Sequence, residues 1–133
     1  MQGGMTIGKL AKAARVNVET IRYYQRRGLV GEPRKPPGGQ RRYSPEAIER
    51  IGFIRRAQQL GFSLAEVKDL LQYSDGRSPR ETRVIAERKH DTLVTHIEHL
   101  QRMRDRLRAL IQASKKAGSR GACPIISALN TSD

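Results

Sequence analysis

The chain has 133 residues, enough for one domain or for a small domain with an appendage. Its 26 Lys+Arg against 13 Asp+Glu give a net charge of +13, which points to a polyanionic partner and away from a basic one. Hydrophobic residues make up only 37%, aromatics 5%, and Trp is absent, so a large single core is excluded.

No apolar run approaches the ~20 residues of a membrane span, so no membrane role is expected. The stretch Met1–Gly4 lacks the apolar centre of a signal peptide, and the one cysteine cannot form an internal disulfide. A cytoplasmic protein is expected. The charge is unevenly spread: residues 1–43 carry 10 basic and 2 acidic side chains (+8), 44–79 carry 5 of each, and 80–133 carry 11 and 6 (+5).

In chain order, Thr6 is placed to cap a first helix over Ile7–Ala14, where Ile7, Leu10, Ala11 and Ala14 recur at helical spacing. Arg15-Val16-Asn17 reads as a tight turn, and Asn17 or Val18 opens a second helix that closes on Gly28. Two short helices across a three-residue turn match a helix-turn-helix. Ile21 is expected to face inward, leaving Glu19, Thr20, Arg22, Tyr23 and Arg26 outside or partly so. Residues 31–43 mix Pro33, Pro36 and Pro37 with Gly31, Gly38 and Gly39 and with Arg34, Lys35, Arg41 and Arg42. Prolines stop a helix and the glycines permit a reversal, so a small basic β-hairpin, a wing, is predicted.

Ser44 should cap a third helix with Pro45 at its first position, running to about Leu60. Ile48, Ile51, Phe53, Ile54, Ala57 and Leu60 form its apolar face, and Gly61-Phe62 breaks it. Ser63-Leu64-Ala65-Glu66 is a capping box for a fourth helix reaching about Gln72, which packs through Leu64, Val67, Leu70 and Leu71. Asp75-Gly76 signals a turn, and Ser78-Pro79-Arg80-Glu81 is a second capping box. From there to about Ala113 no Gly or Pro occurs, which predicts one helix of roughly 50 Å at 1.5 Å per residue. On it Ala86, Leu93, Leu100 and Leu107 recur every seven residues, with His96, Met103 and Leu110 three further on. A lone helix cannot bury such a seam, so a coiled coil with a second copy of the chain is expected. In the tail, Ser119, Arg120 and Gly121 are loop-like and Cys123–Leu129 is apolar enough to dock.

Four motifs are specific as a set: Thr6–Ala11, Val18–Leu29, Arg41-Arg42-Tyr43 and Ala57–Val67. On them the chain resembles the MerR family of transcriptional regulators over essentially its whole length. The tail Cys123–Leu129 is similar to the mercury-responsive branch. The resemblance implies a mostly α fold: a winged helix-turn-helix (1–43), a connecting helical pair (44–77), a dimerisation helix forming an antiparallel coiled coil (78–113), and an effector-region tail (114–133). It also implies a homodimer on double-stranded promoter DNA that represses, and activates by untwisting an over-long spacer so that RNA polymerase can engage. On this reading Thr20, Arg22, Tyr23 and Arg26 contact groove and backbone, while Tyr24 packs or reaches the backbone. Arg41 and Arg42 clamp phosphates, and Tyr43 fixes the wing on the third helix. Because such regulators read largely by bending DNA, these arginines are expected mainly to position it.

In the mercury branch the resemblance implies three thiolate ligands. In register with Cys123, the other two positions hold Pro79 and Ser114, of which proline offers no donor and serine a hard one. The effector therefore stays open between a thiophilic metal such as Hg(II) acting through Cys123, a small organic ligand, and none. Cys123 itself is either a packed leftover or a reactive thiol whose pKa Lys115, Lys116 and Arg120 lower. His96 and His99 share a helical face, with His90 nearby, but no ligand set completes around them. No nucleophile, phosphate loop or catalytic carboxylate pair stands out, so no enzyme is expected. The rival readings are a nonspecific architectural DNA-binding protein and an effector-independent repressor.

Overall fold

A computed structural model describes residues 4–119 and 121–131. They form α1 (Ile7–Ala14), α2 (Val18–Arg26), α3 (Glu46–Gln59), α4 (Leu64–Leu71), α5 (Pro79–Ala117) and α6 (Pro124–Asn130). The chain divides into two compact units, Met1–Lys89 and His90–Asp133. Among the described residues no helix is long and apolar enough to cross a membrane.

The first unit follows its caps. Thr6 Oγ1 accepts the Lys9 N–H at 3.3 Å and starts α1, while Arg15, at φ +60°, ends it in the left-handed region. Val16 N–H then bonds back to Ala11 O at 2.9 Å, which turns the chain through a right number of residues for α2 to begin at once. Asn17 Oδ1 accepts both the Thr20 N–H (2.7 Å) and the Thr20 hydroxyl (2.8 Å), fixing the first turn of α2. At the far end Gly28 takes φ +73°, as the expected closure requires, and Leu29 N–H reaches Tyr24 O at 2.9 Å.

The wing departs from the sequence reading. Among the described residues its arms form no strand ladder; the chain makes one isolated antiparallel bridge, Met5 to Tyr43. Met5 N donates to Tyr43 O at 2.9 Å and Tyr43 N to Met5 O at 2.8 Å. Three prolines explain this, because each removes a donor and fixes φ, leaving too few free N–H groups for the arms to pair with one another. The tip still reverses, with Gly38 at φ +69° and Gly39 N–H on Pro36 O at 3.1 Å.

The start of α3 also differs, and so does the exposure of Leu60 at its end. The helix starts at Glu46 with Pro45 at the cap position and no capping side-chain bond. The Glu46 carboxyl is held below its ordinary value by its own backbone N–H first and then by the Ser44 hydroxyl, which bonds to this side chain instead. Leu60, expected on the apolar face, is 67% exposed because it lies just past the helix, where Gly61 at φ +93° turns the chain away. The Ser63–Glu66 capping box is complete: Ser63 N–H donates to Glu66 Oε1 at 2.8 Å and Glu66 N–H to Ser63 Oγ at 3.2 Å.

Leu10, Ile21, Leu29, Ile51, Ile54 and Val67 are fully buried at the centre of the first unit, and α1 packs on α2 and α3, α3 on α4. Ile85, from the first turns of α5, packs against this core, and Lys89 Nζ lies 2.9 Å from Glu66 Oε1. In the second unit the remainder of α5 buries nothing. Leu93, Ile97, Leu100, Met103, Leu107 and Ile111 are 39–60% exposed along it. The helix runs four residues past the expected Ala113 and stops at Gly118, φ +60°.

Candidate nucleic-acid interface and effector region

Of the sequence-predicted contact residues, Arg22, Arg26 and Arg41 line one groove of about 690 Å³ in the first unit, Thr20, Tyr23 and Tyr24 line a second groove that Arg26 shares, and Arg42 lines neither. The start of α1 (Thr6, Ile7, Gly8), the outer face of α2 (Arg22, Gln25, Arg26) and the wing (Glu32, Lys35, Gln40, Arg41) line the first groove. Tyr43 forms its floor. Tyr43 is 3% exposed, and its hydroxyl accepts from Gln25 Nε2, so the wing is pinned to α2 and to Met5. This strut ties Tyr43 to the helix that carries the arginines, and the tyrosine ring is buried in the core cluster that also holds Ile51 and Ile54 of α3. Gln25 was not singled out from sequence; its position one turn before the Gly28 closure was the available signal.

On α2 the side chains are already ordered by their neighbours. Arg22 Nη1 lies 3.2 Å from Glu19 Oε1, both well exposed, which aims the guanidinium outward along the helix. Tyr23 is 40% exposed, with the guanidinium carbons of Arg26 and Arg27 each 5.8 Å from its ring centroid. Arg27 Nη1 also donates to Tyr23 Oη at 3.2 Å. Arg27 was missed by sequence reasoning because it sits in the closing turn, outside the helical repeat; the Arg26-Arg27 pair was the visible hint.

Thr20 lies partly exposed at the mouth of the second groove, with Asn17, Glu19, Tyr23, Arg26 and Gln58. Tyr24 is the exception in the set. It is 4% exposed, donates its hydroxyl to Gln58 Oε1 at 2.8 Å, and belongs to the core, so the packing alternative is the one its position favours. Burial raises its phenol pKa, with the nearby Arg55 charge opposing. On the wing, Arg41 is tied to Glu32 and to the Pro33 carbonyl, while Arg42 is exposed.

At the other end of the chain, Cys123 is exposed and occupies the cap position of α6. Its Sγ lies 3.8 Å from Ser114 Oγ. The backbone N–H groups of Ile126 and Ile125, then the Ser114 hydroxyl, lower the thiol pKa below its ordinary value. The cause is therefore these local donors rather than the expected Lys115 and Lys116; Arg120 lies outside the described residues. Pro79 begins α5. His90, His96 and His99 are exposed, and His90 Nδ1 sits 3.2 Å from Asp91 Oδ1. Among the described residues no three His, Cys, Asp or Glu side chains come together as a metal-binding group.

A helix-turn-helix whose second helix shows arginines beside a basic wing defines a DNA-binding protein. Residues 5–74 match the profile of the MerR HTH family regulatory protein, and residues 48–110 match that of MerR, DNA binding. The chain is 44% identical over 125 residues to the mercuric resistance operon regulatory protein of Serratia marcescens, covering 94% of this chain and 87% of that one. Its fold is similar to that of the regulator PbrR691 from Ralstonia metallidurans, solved with lead(II), at a TM-score of 0.80 and 29% identity over 94% of this chain and 98% of that one. It is also similar to the dual-function regulator MerR of Bacillus megaterium, solved with mercury(II), at a TM-score of 0.72 and 32% identity over 96% and 100%. The chain belongs to the MerR family and is a DNA-binding transcriptional regulator.

Proposed function

We propose that this regulator acts in the cytoplasm as a homodimer on a promoter, and that it controls RNA polymerase there by distorting the spacer DNA. The observation that carries this reading is the groove between α2 and the wing, where Arg22, Arg26, Lys35 and Arg41 converge on a space open to a phosphate backbone. In this reading Arg22, Arg26, Arg27, Arg41 and Arg42 hold the backbone, and Thr20 and Tyr23 meet the groove edge. Tyr24 acts from within, keeping α2 seated on α3 through Gln58. The exposed apolar row on α5 supports pairing of two copies, since its side chains recur on one face and have no cover within the unit.

The relatives solved with lead(II) and mercury(II) support a soft metal as the effector class of the family. The donors of this chain do not fit a three-thiolate site. Cys123 offers one sulfur, the Ser114 oxygen beside it is hard and neutral, and Pro79 has no donor atom. We therefore read the chain as a promoter-distorting regulator whose response does not run through three-sulfur coordination.

DNase footprinting of the full chain on the DNA upstream of its own gene tests this. One protected dyad with a hypersensitive centre is expected. Even protection of any duplex would favour the architectural alternative and sink the reading.

A further inference from the structure

The groove between α2 and the wing contains Glu32 among its four cations. Glu32 is not free in it: Oε1 lies 3.1 Å from Arg41 Nη2. Arg41 has a second, independent anchor, because its Nε donates to the Pro33 carbonyl at 3.0 Å. The two side chains of the ion pair are 42% and 54% exposed, and pairs this open to water contribute little to stability and exchange partners readily.

We propose that Glu32 is a positioning residue that occupies Arg41 until a DNA phosphate takes its place. Arg41 stays tethered to the Pro33 carbonyl through Nε and passes Nη2 from the carboxylate to a phosphate oxygen. This rests on the reading that the groove receives the DNA backbone. The two anchors fix the sign of the effect. If Glu32 alone oriented Arg41, removing it would disorganise the wing and weaken binding. The Pro33 carbonyl keeps the guanidinium in place, so Glu32 acts on the bound state through competition for Nη2 and through repulsion of the incoming phosphate. It thereby holds down the sequence-independent part of the affinity, which the phosphate contacts supply.

Fluorescence anisotropy of the full chain on a labelled random-sequence duplex, with E32Q, R41A and the double variant, tests the exchange. E32Q is expected to tighten binding about 3- to 10-fold, the size of two exposed charge interactions, one in each protomer. R41A is expected to weaken binding, and the E32Q gain is expected to shrink by at least half in the R41A background. Unchanged or weaker binding by E32Q, with R41A still impaired, overturns the exchange and leaves the groove reading standing. An equal E32Q gain with and without Arg41 also overturns it, because Glu32 would then act only as a distant charge. Undiminished affinity in R41A would instead remove the wing from the DNA contact, and the exchange with it.

Discussion

Truncating Leu100 to alanine probes the pairing of two chains most directly. Leu100 is 60% exposed on α5, in the middle of a row that includes Leu93, Met103 and Leu107. Burying a whole leucine side chain stabilises by about 1.5–3 kcal/mol, so covering the open part of Leu100 is worth about 1–2 kcal/mol per protomer. A two-fold interface counts the residue twice, giving about 2–4 kcal/mol per dimer. That corresponds to a dimer dissociation constant raised about 30- to 700-fold. Alanine is the best helix former, so the substitution leaves α5 helical and separates association from folding. Sedimentation equilibrium over a concentration series measures the constant, with circular dichroism reporting helix content. Leu60→Ala is the control, since Leu60 is even more exposed, at 67%, but lies just past α3 rather than on the row. A wild type that sediments as one chain would refute the reasoning. So would a Leu100→Ala constant within about twofold of wild type.

Arg22→Ala is expected to weaken DNA binding and to lower the slope of log K against log salt by about 1.8, the signature of one lost phosphate contact in each of the two protomers. An unchanged slope in a salt titration would take Arg22 out of the contact set. Ile54→Ala, at a position on α3 with no exposure, should cost about 2–5 kcal/mol in chemical denaturation. Glu66 gives a pH signature. The Ser63 N–H first, and then the Lys89 ammonium, hold its carboxyl below the ordinary value. A depressed folded-state pKa gives stability that is present above the unfolded-state value and lost as pH falls through the folded one. Denaturation midpoints should therefore drop on acidification through and below the usual carboxylate range, and more shallowly in Glu66→Gln.

The parts of the fold written in local signals were legible. Thr6, Asn17 and the Ser63–Glu66 box each satisfy orphan N–H groups by contacts within three residues, so the chain order alone carries them. Errors arose where one signal had two physical outcomes. Proline and glycine in 31–43 announced a reversal but not whether its arms would pair, and Tyr43 instead pairs with Met5, far away in sequence. Ser44-Pro45 resembled a cap, yet the Ser44 hydroxyl has the Glu46 carboxylate as a competing partner. Within the candidate site, exposure along α2 followed from its period, and the basic character of the wing from its residues. The struts did not follow: Gln25 to Tyr43 and Tyr24 to Gln58 join elements that only tertiary packing brings together, and Arg41 to Glu32 joins the two arms of the wing, whose path the sequence left open.

The effector end yields to the same kind of reasoning about donors. Three thiolates on one frame hold a soft ion as a chelate, because after the first bond the others act at an effective concentration of about millimolar or above. Cys123 has no such help. Its neighbour Ser114 Oγ, at 3.8 Å from the sulfur, is a poor ligand for a soft ion, so a second bond must come from a molecule in solution. The N–H groups of Ile126 and Ile125 lower the thiol pKa, which raises the thiolate fraction and the rate of attack. The same donors stabilise the free thiolate and so reduce its pull on a metal. Any small thiol then competes with Cys123 on at least equal terms. Equilibrium dialysis of the full chain against Hg(II) should show binding in thiol-free buffer and its loss once glutathione is added at about millimolar concentration. Cys123→Ser should abolish the thiol-free binding. Stoichiometric retention by the wild type against glutathione would mean that further strong donors close on the ion, and the case for a response without three-sulfur coordination would fail.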